Sequence, residues 1–204
     1  MSQSSATVDT SNFRKHTAEN PIQRQLIDRF HHVILGKIGA QSPASFLDAG
    51  CGEGFVTELV VRQFPGLPVT AFDHNPAAID VARERVPGVP FDVAAIDALP
   101  YADDQFDVTG CFEVLEHLPD PAAALRELAR VTRRALVLSV PHEPWFSSMN
   151  AARGKNLDVR PRGSDPDHRN LWTRRAFEAF VARDLEIAWI GGSLPWTICV
   201  ARPR

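Results

Sequence analysis

The stretch that decides the fold is Phe46-Leu47-Asp48-Ala49-Gly50-Cys51-Gly52-Glu53-Gly54. Its apolar start is typical of a buried strand, and its three closely spaced glycines predict a tight turn into a following helix. Glycine lets backbone N–H groups approach a ligand where any side chain would collide with it. The stretch therefore predicts a strand, a ligand-binding turn and a helix in succession.

Short apolar runs alternate with helical segments around this turn. Further strands are predicted at residues 69–73, 91–93, 106–109 and 135–140. Helices are predicted from Pro21 with Asn20 as its cap, after Gly54, across 76–86 and from about 119 to 131. Strands that alternate with helices favour a parallel sheet with both faces covered. The fold class is therefore α/β, with a doubly wound sheet.

The last third of the chain has a different pattern. Residues 141–172 are rich in Pro, Gly, Asn, Asp and Arg without periodicity, which predicts one long loop that orders over the substrate. A helix at 173–182, a strand at 185–190, a turn at Gly191-Gly192 and a strand at 196–201 follow. The last two strands are close enough in sequence for a hairpin. We therefore expect a mostly parallel, seven-stranded sheet with an antiparallel last strand.

Length, charge and cysteine count exclude several classes of protein. The chain has 204 residues, a formal net charge of −3 and three widely spaced cysteines. These values fit a mobile tail over residues 1–19 and a single domain over residues 20–204. There is neither an apolar run of about 18 residues for a membrane span nor a signal-peptide pattern. We expect a cytoplasmic protein with no membrane partner, disulfide framework or CxxC metal site.

A carboxylate follows the second predicted strand. Asp73 lies nineteen residues beyond Gly54, where an acid can accept both ribose hydroxyls of a nucleoside. A dinucleotide-binding dehydrogenase uses the same geometry, but its fingerprint is GxGxxG, whereas this chain has GxGxG and the acidic Glu53. The spacing and the charge disfavour NAD. The acids at the strand ends could instead serve only as turn and cap residues.

The glycine stretch resembles the first motif of the class I S-adenosylmethionine-dependent methyltransferases, and the resemblance extends from Ser45 to Pro203. It implies a Rossmann-like methyltransferase fold with S-adenosylmethionine as cofactor. The glycine backbone would hold the methionine part, Asp73 the ribose, and Asp97 the adenine. The predicted cofactor-binding set is Asp48, Gly50, Cys51, Gly52, Asp73, His74, Asp97, Ala98, Cys111 and Phe112.

Residues 112–119, Phe-Glu-Val-Leu-Glu-His-Leu-Pro, hold two carboxylates and an imidazole. Glu113, Glu116 and His117 at i, i+3 and i+4 fall on one face of a helical turn, which suits one cation. The pattern is similar to the ExxEH motif of metal-dependent O-methyltransferases that act on terminal-ribose, catechol or sugar hydroxyls. That resemblance implies His168 as a fourth ligand of Mg²⁺ or Mn²⁺. The two glutamates could instead only stabilise the next helix, by placing negative charge near the positive end of its dipole.

Methyl transfer from a sulfonium to a hydroxyl requires that the acceptor be positioned and lose its proton. A divalent cation bound to that hydroxyl would lower its pKa. His142 follows the last parallel strand and is the first candidate for the general base, with Glu116 and His117 as the other catalytic residues. A structural role for His142 is an equal alternative.

These patterns predict a metal-assisted O-methyltransferase of a small acceptor, first a sugar or oligosaccharide such as a mannoside. A metal-independent methyltransferase of a quinone, lipid or secondary metabolite is the alternative enzyme, and a non-catalytic cofactor-binding or regulatory protein is the alternative of another class. The basic residues of the long loop could meet a phosphate or an RNA backbone, but three acids partly offset them, and the negative total disfavours RNA. The sequence leaves a homodimer open. The five loop bases are Arg153, Lys155, Arg160, Arg162 and Arg169.

Overall fold

The structure is a computed structural model that describes residues 20–204. The predicted tail over residues 1–19 lies outside the described residues. Within residues 20–204, no helix is both long enough and apolar enough to cross a membrane.

Seven strands form one sheet, in the spatial order β3-β2-β1-β4-β5-β7-β6. The first five strands are parallel to one another, whereas β7 runs antiparallel to both β5 and β6. This confirms the predicted α/β sheet with its antiparallel last strand. The strands are β1 (Phe46–Ala49), β2 (Val69–Asp73), β3 (Phe91–Val93), β4 (Phe106–Phe112), β5 (Thr132–Pro141), β6 (Glu186–Ser193) and β7 (Trp196–Arg202).

Within residues 20–204, six α-helices and one short 3₁₀ turn precede or connect the strands. Proline in the first turn and an Asn or Asp cap begin three of these helices, because proline has no N–H to satisfy there and the cap accepts from the free donors. The helices are α1 (Pro21–Gly39), α2 (Phe55–Gln63), α3 (Pro76–Arg85), α4 (Pro121–Val131), α5 (Trp145–Ala152) and α6 (Arg174–Val181), and the 3₁₀ turn is Leu115–His117.

The sheet has a hydrophobic core on each face. Alternate residues of β5 show this, since Leu136 and Leu138 pack with helices α4 and α6, whereas Val137 packs with α1 and α2. Helix α3 covers β2 and β3 on the same side as α2. Every central strand is therefore buried on both faces, which leaves the carboxyl ends of the strands as the place for a ligand.

Two details of the last third differ from the prediction. The segment 141–172 is not one irregular loop, because it contains helix α5, whose eight residues are too few to show a clear helical period. The predicted turn at Gly191-Gly192 is wrong, since both glycines lie inside β6 and the turn is at residues 194–195. A Cβ on Gly192 would lie 2.9 Å from the carbonyl oxygen of Trp196. Glycine here permits close strand approach and not a turn.

Candidate active site

A cleft of about 530 Å³ opens at the carboxyl ends of β1, β2 and β4. Between β1 and β4 the strand order changes direction, since β2 and β3 follow on one side and β5 on the other. Ligands of open α/β sheets bind at this reversal. The predicted cofactor residues that line the cleft are Asp48, Gly50, Cys51, Gly52, Asp73, His74, Asp97 and Phe112.

The turn after β1 is held against β2 and against the segment after β4. The backbone N–H groups of Gly50 and Cys51 both donate to the carbonyl oxygen of Phe72, at 2.9 Å each. Gly50 has a φ of 74°, and a Cβ there would lie 2.5 Å from Cγ2 of Val114. No side chain fits at position 50. Glycine there lets the turn after β1 contact the 113–117 segment.

Asp73 closes the turn from the end of β2. Its Oδ2 accepts from the N–H of Gly52 at 2.9 Å, and its Oδ1 accepts from the N–H of Asn75 at 2.9 Å. The side chain is nearly buried yet lines the cleft. Because each carboxylate oxygen has two acceptor sites, Asp73 can still accept hydrogen bonds from two ribose hydroxyls.

Asp48 lies at the floor of the cleft. Its residue is 2% exposed, and Oδ2 accepts from the hydroxyl of Thr57 at 2.6 Å. Burial raises the pKa of this carboxyl to about 6. Burial disfavours the charged form of a carboxyl group. Asp48 therefore keeps its proton in the folded protein at a pH where the same group in the unfolded chain has lost it.

We expect Asp48 to make stability depend on pH. Because its folded pKa is raised, the free energy of unfolding falls as pH rises from about 4 to about 6, by on the order of 3 kcal/mol in total. Asp48→Asn removes this dependence while keeping an acceptor for Thr57. Urea unfolding of the ligand-free protein at acidic and neutral pH measures the effect. The exposed Asp104→Asn is the control, and identical pH profiles for Asp48→Asn and the unsubstituted protein would contradict the expectation.

The structure does not bring two of the predicted cofactor residues to the cleft. Cys111 is 0% exposed and packs in the core on the α4 side, because neighbours on a strand point to opposite faces and Phe112 takes the cleft side. Ala98 lies beyond the lining residues 94–97, in a turn where its N–H donates to the carbonyl oxygen of Ala95.

Three of the predicted metal ligands form a cluster. Glu116, His117 and His168 each offer an atom, and these atoms lie within 4.8 Å of one another. The side chain of Glu116 is buried, whereas the two histidines are half-buried. The two imidazole rings meet edge to face with their centroids 4.9 Å apart. All three residues line the same cleft as Asp73.

Backbone hydrogen bonds hold this cluster together. The carbonyl oxygen of Glu116 accepts from the N–H groups of Arg169, at 2.8 Å, and Asn170, at 3.0 Å. The side-chain amide of Asn170 donates to the carbonyl oxygens of Leu115 and Leu118. Within the turn the carbonyl oxygen of Leu115 accepts only from the N–H of Leu118, at 3.3 Å, and the loop supplies further donors to the turn. His168 is therefore fixed beside His117 although fifty residues separate them in sequence.

Glu113 does not join the cluster, which corrects the predicted set of four ligands to three. Its φ is 59°, so the chain leaves the helical conformation that the i, i+3, i+4 spacing assumes. Its Oε1 accepts from the hydroxyl of Ser139 at 3.2 Å, and its Oε2 accepts from Nε1 of Trp196 at 2.6 Å. Glu113 lines the cleft beside the cluster and ties β5 to β7 there.

His142 is not among the residues that line the cleft. Its N–H donates to the carbonyl oxygen of Pro195 at 2.8 Å, and it bridges to Trp172. Burial, reinforced by nearby Arg174, lowers the pKa of its imidazole. The structure therefore favours the structural role for His142 over the role of general base.

Phe30 and Asp165 are two of the several lining residues that the sequence did not predict. Phe30 comes from α1 and reaches the cleft above Phe112, with the two rings edge to face and 6.4 Å between centroids. Asp165 comes from the segment after α5. The apolar stripe of α1 predicts that this helix packs, but only the tertiary arrangement shows against what. No local pattern marks Asp165.

The sequence is similar to known methyltransferases over most of its length. Residues 47–138 match the family model described as a methyltransferase domain. The chain is 34% identical over 188 residues to a ubiquinone biosynthesis O-methyltransferase of Stutzerimonas stutzeri, covering 81% of the chain and 74% of that relative. It is 38% identical over 139 residues to a "Probable S-adenosylmethionine-dependent methyltransferase" of Mycobacterium tuberculosis H37Rv, covering 65% of the chain. The chain spans about half, 47%, of that relative's length.

Solved structures share the fold at low sequence identity. A Pyrococcus horikoshii protein superposes with a TM-score of 0.70 at 17% identity, covering 94% of this chain and 95% of that one. A SAM dependent methyltransferase from Aquifex aeolicus gives a TM-score of 0.62 at 17% identity, covering 78% of this chain and 81% of that one. These likenesses show the architecture alone.

Proposed function

Because this chain belongs to the class I S-adenosylmethionine-dependent methyltransferases, we propose that it transfers the methyl group to a hydroxyl oxygen of a small acceptor. The observation that carries the proposal is the cluster of Glu116, His117 and His168 in the cleft that Asp73 also lines. An imidazole beside a buried carboxylate is suited to taking the proton of a hydroxyl. The O-methyltransferase names of the relatives support the same type of acceptor atom.

Different residues of the cleft would bind the cofactor and the acceptor. Asp73 would bind the ribose, and the glycine turn would bind the methionine part. When bound, S-adenosylmethionine supplies an electrophilic methyl carbon, whose bond to sulfur breaks as the bond to the acceptor oxygen forms. His117 or His168 would take the hydroxyl proton, and Glu116 would stabilise the resulting imidazolium. Phe30, Phe55 and Phe112 would exclude water from the acceptor.

The cluster also fits a divalent cation. One carboxylate and two imidazoles with donor atoms inside 4.8 Å form a donor set that Mn²⁺ and related ions accept, and the buried Glu116 gives it a fixed charge. A cation held by these three residues would lower the pKa of the acceptor hydroxyl. Metal assistance therefore stays part of the proposal, with three protein ligands and not four. When the cation is bound, both imidazoles would be its ligands, and the hydroxyl of lowered pKa would lose its proton to solvent; without the cation, a histidine would take that proton.

The acceptor class is proposed from the relatives and from the cleft. Six of the similar proteins carry the name ubiquinone biosynthesis O-methyltransferase, which favours a phenolic or catechol hydroxyl over the saccharide predicted first. Four phenylalanines line the cleft, Phe30, Phe55, Phe72 and Phe112, and such aromatic walls suit a planar acceptor. A phenol also loses its proton more readily than a sugar hydroxyl. We therefore place a phenolic acceptor first and a saccharide second.

Methyl transfer from labelled S-adenosylmethionine to catechol and to methyl mannoside tests the proposal, with products identified by mass spectrometry. We expect transfer to catechol oxygen, and at least a tenfold loss after chelation with EDTA that Mn²⁺ reverses, in line with the contribution of a metal-lowered pKa. Full activity after chelation would overturn the metal assistance alone. Tight binding of S-adenosylhomocysteine without transfer to any acceptor would overturn the enzyme and favour the non-catalytic alternative.

A further inference from the structure

A second cavity of about 390 Å³ lies beside the cofactor cleft. Helix α1, helix α5 with the segment that follows it, and the start of β7 form its walls. Its lining combines apolar side chains, three amides and two cations. The residues used below are Phe146, Met149, Arg153, Lys155, Asp165 and Trp196.

The two cavities share walls. Asp165 lines both of them. The ring of Phe146, in the second cavity, lies 5.4 Å from the ring of His168, in the first. The ring of Trp196 packs against Phe30 at a tilt of 42°, with 4.8 Å between ring centroids, and its Nε1 donates to Glu113, so Trp196 joins the second cavity to the cleft. A molecule whose reacting group reaches His168 can therefore extend over Phe146 and Trp196.

Two cations stand at the far side of this cavity. The N–H groups of Arg153 and Lys155 both donate to the carbonyl oxygen of Asn150, at 3.0 and 2.9 Å, which fixes both residues at the end of α5. The amide of Asn150 donates to the carbonyl oxygen of Gly163 at 3.0 Å and ties this end to the following segment. Both residues are exposed, and both line the same cavity.

The charges of these two residues are not neutralised within residues 20–204. No ion pair between residues in this range includes Arg153 or Lys155, in contrast to Arg85, Arg130 and Arg133. The acid of the cavity is Asp165, whose Oδ1 accepts from the N–H of Asp167 at 3.0 Å. Cations near a helix C-terminus are favourable with the helix dipole, but that effect does not require both to line one cavity.

We propose that the second cavity binds an anionic group of the acceptor, a carboxylate or a phosphate, through Arg153 and Lys155. The inference rests on the proposed function, since it places the acceptor's reacting hydroxyl at Glu116, His117 and His168. Phe146, Met149 and Trp196 cover the body of the acceptor between its two ends. Arginine and lysine together recognise an oxyanion by charge-assisted hydrogen bonds.

Matched pairs of acceptors test the inference. The probes are 3,4-dihydroxybenzoate against catechol for a carboxylate, and mannose 6-phosphate against mannose for a phosphate. In Arg153→Ala/Lys155→Ala we expect kcat/KM for the preferred anionic probe to fall about 10- to 100-fold, mainly through KM, as expected for two charged hydrogen bonds. The uncharged partner should change at least tenfold less. Arg160→Ala/Arg162→Ala, which removes two cations of the same segment outside the cavity, is the matched control.

The outcomes separate this inference from the proposed function. Methylation of both members of a pair with equal kcat/KM, or an equal loss for both in the double variant, would overturn the anion site while the O-methyltransferase stands. If no probe is methylated, the proposed function fails. The anion site is then decided by calorimetric titration of 3,4-dihydroxybenzoate and mannose 6-phosphate into the protein loaded with S-adenosylhomocysteine. Binding that the double variant loses and the control keeps supports the site, and any other titration result overturns it.

Discussion

Glu116→Gln is expected to lower kcat about 100- to 1,000-fold, the usual contribution of a proton-transfer or cation-binding group. The side chain is 1% exposed and belongs to the cluster with His117 and His168, so its charge acts in a site of low dielectric. Glutamine has nearly the same shape but cannot stabilise an imidazolium or neutralise a cation. Radiometric methyl transfer with catechol at saturating cofactor measures the loss.

The fold and the cofactor site should survive this change. The hydrogen bonds from Arg169 and Asn170 end on the carbonyl oxygen of Glu116 and not on its side chain, so the loop stays attached. Calorimetry with S-adenosylhomocysteine should therefore give an affinity close to that of the unsubstituted protein. Glu58→Gln, on the outer side of α2, is the control with the same chemical change. An unchanged kcat in Glu116→Gln would remove the cluster from the mechanism.

Asp73→Ala is expected to weaken the binding of S-adenosylhomocysteine at least about 100-fold, because several charge-assisted hydrogen bonds to ribose are lost together. The same change also frees the N–H groups of Gly52 and Asn75, which loosens the glycine turn. Asp73→Asn separates the two effects. Its amide oxygen still accepts, but its NH₂ must face one of the two N–H donors, so affinity should be intermediate.

Asp80→Ala is the control for this second prediction. The side chain of Asp80 is 75% exposed on α3, pairs with Arg83 at 3.2 Å and does not line the cleft, so its loss leaves the turn intact. Isothermal titration gives the affinities, and thermal unfolding shows whether each variant is folded. Equal affinity in Asp73→Ala and Asp80→Ala would exclude Asp73 as the ribose ligand.

Most of the fold follows from local patterns in the sequence. The five parallel strands and the helices between them are short apolar runs and helical stripes, and the caps Asn20 and Asp120 begin helices with proline in the first turn. Helix α5 escapes prediction because its eight residues lie among prolines and glycines. The turn at Gly191 and Gly192 was predicted wrongly because glycine occurs both in turns and where strands approach closely.

The candidate site was predictable where strand ends determine it. Asp48 and Asp73 end consecutive strands in sequence and adjacent strands in space, so the topology alone brings them together. Glu113 was misplaced because its left-handed conformation is not visible in residue spacing. The second cavity could not be foreseen, since α1, α5 and β7 meet there only after the chain has folded.

The attachment of Asn170 to the 3₁₀ turn also has a meaning for protein engineering. Three of its hydrogen bonds end on Leu115, Glu116 and Leu118, so this residue joins the segment after α5 to the proposed catalytic cluster. The chain between α5 and His168 can therefore be treated as an exchangeable segment that ends at the Asn170 attachment. Exchanging this segment would change which acceptors the cleft admits, while the groups proposed to take the proton keep their positions.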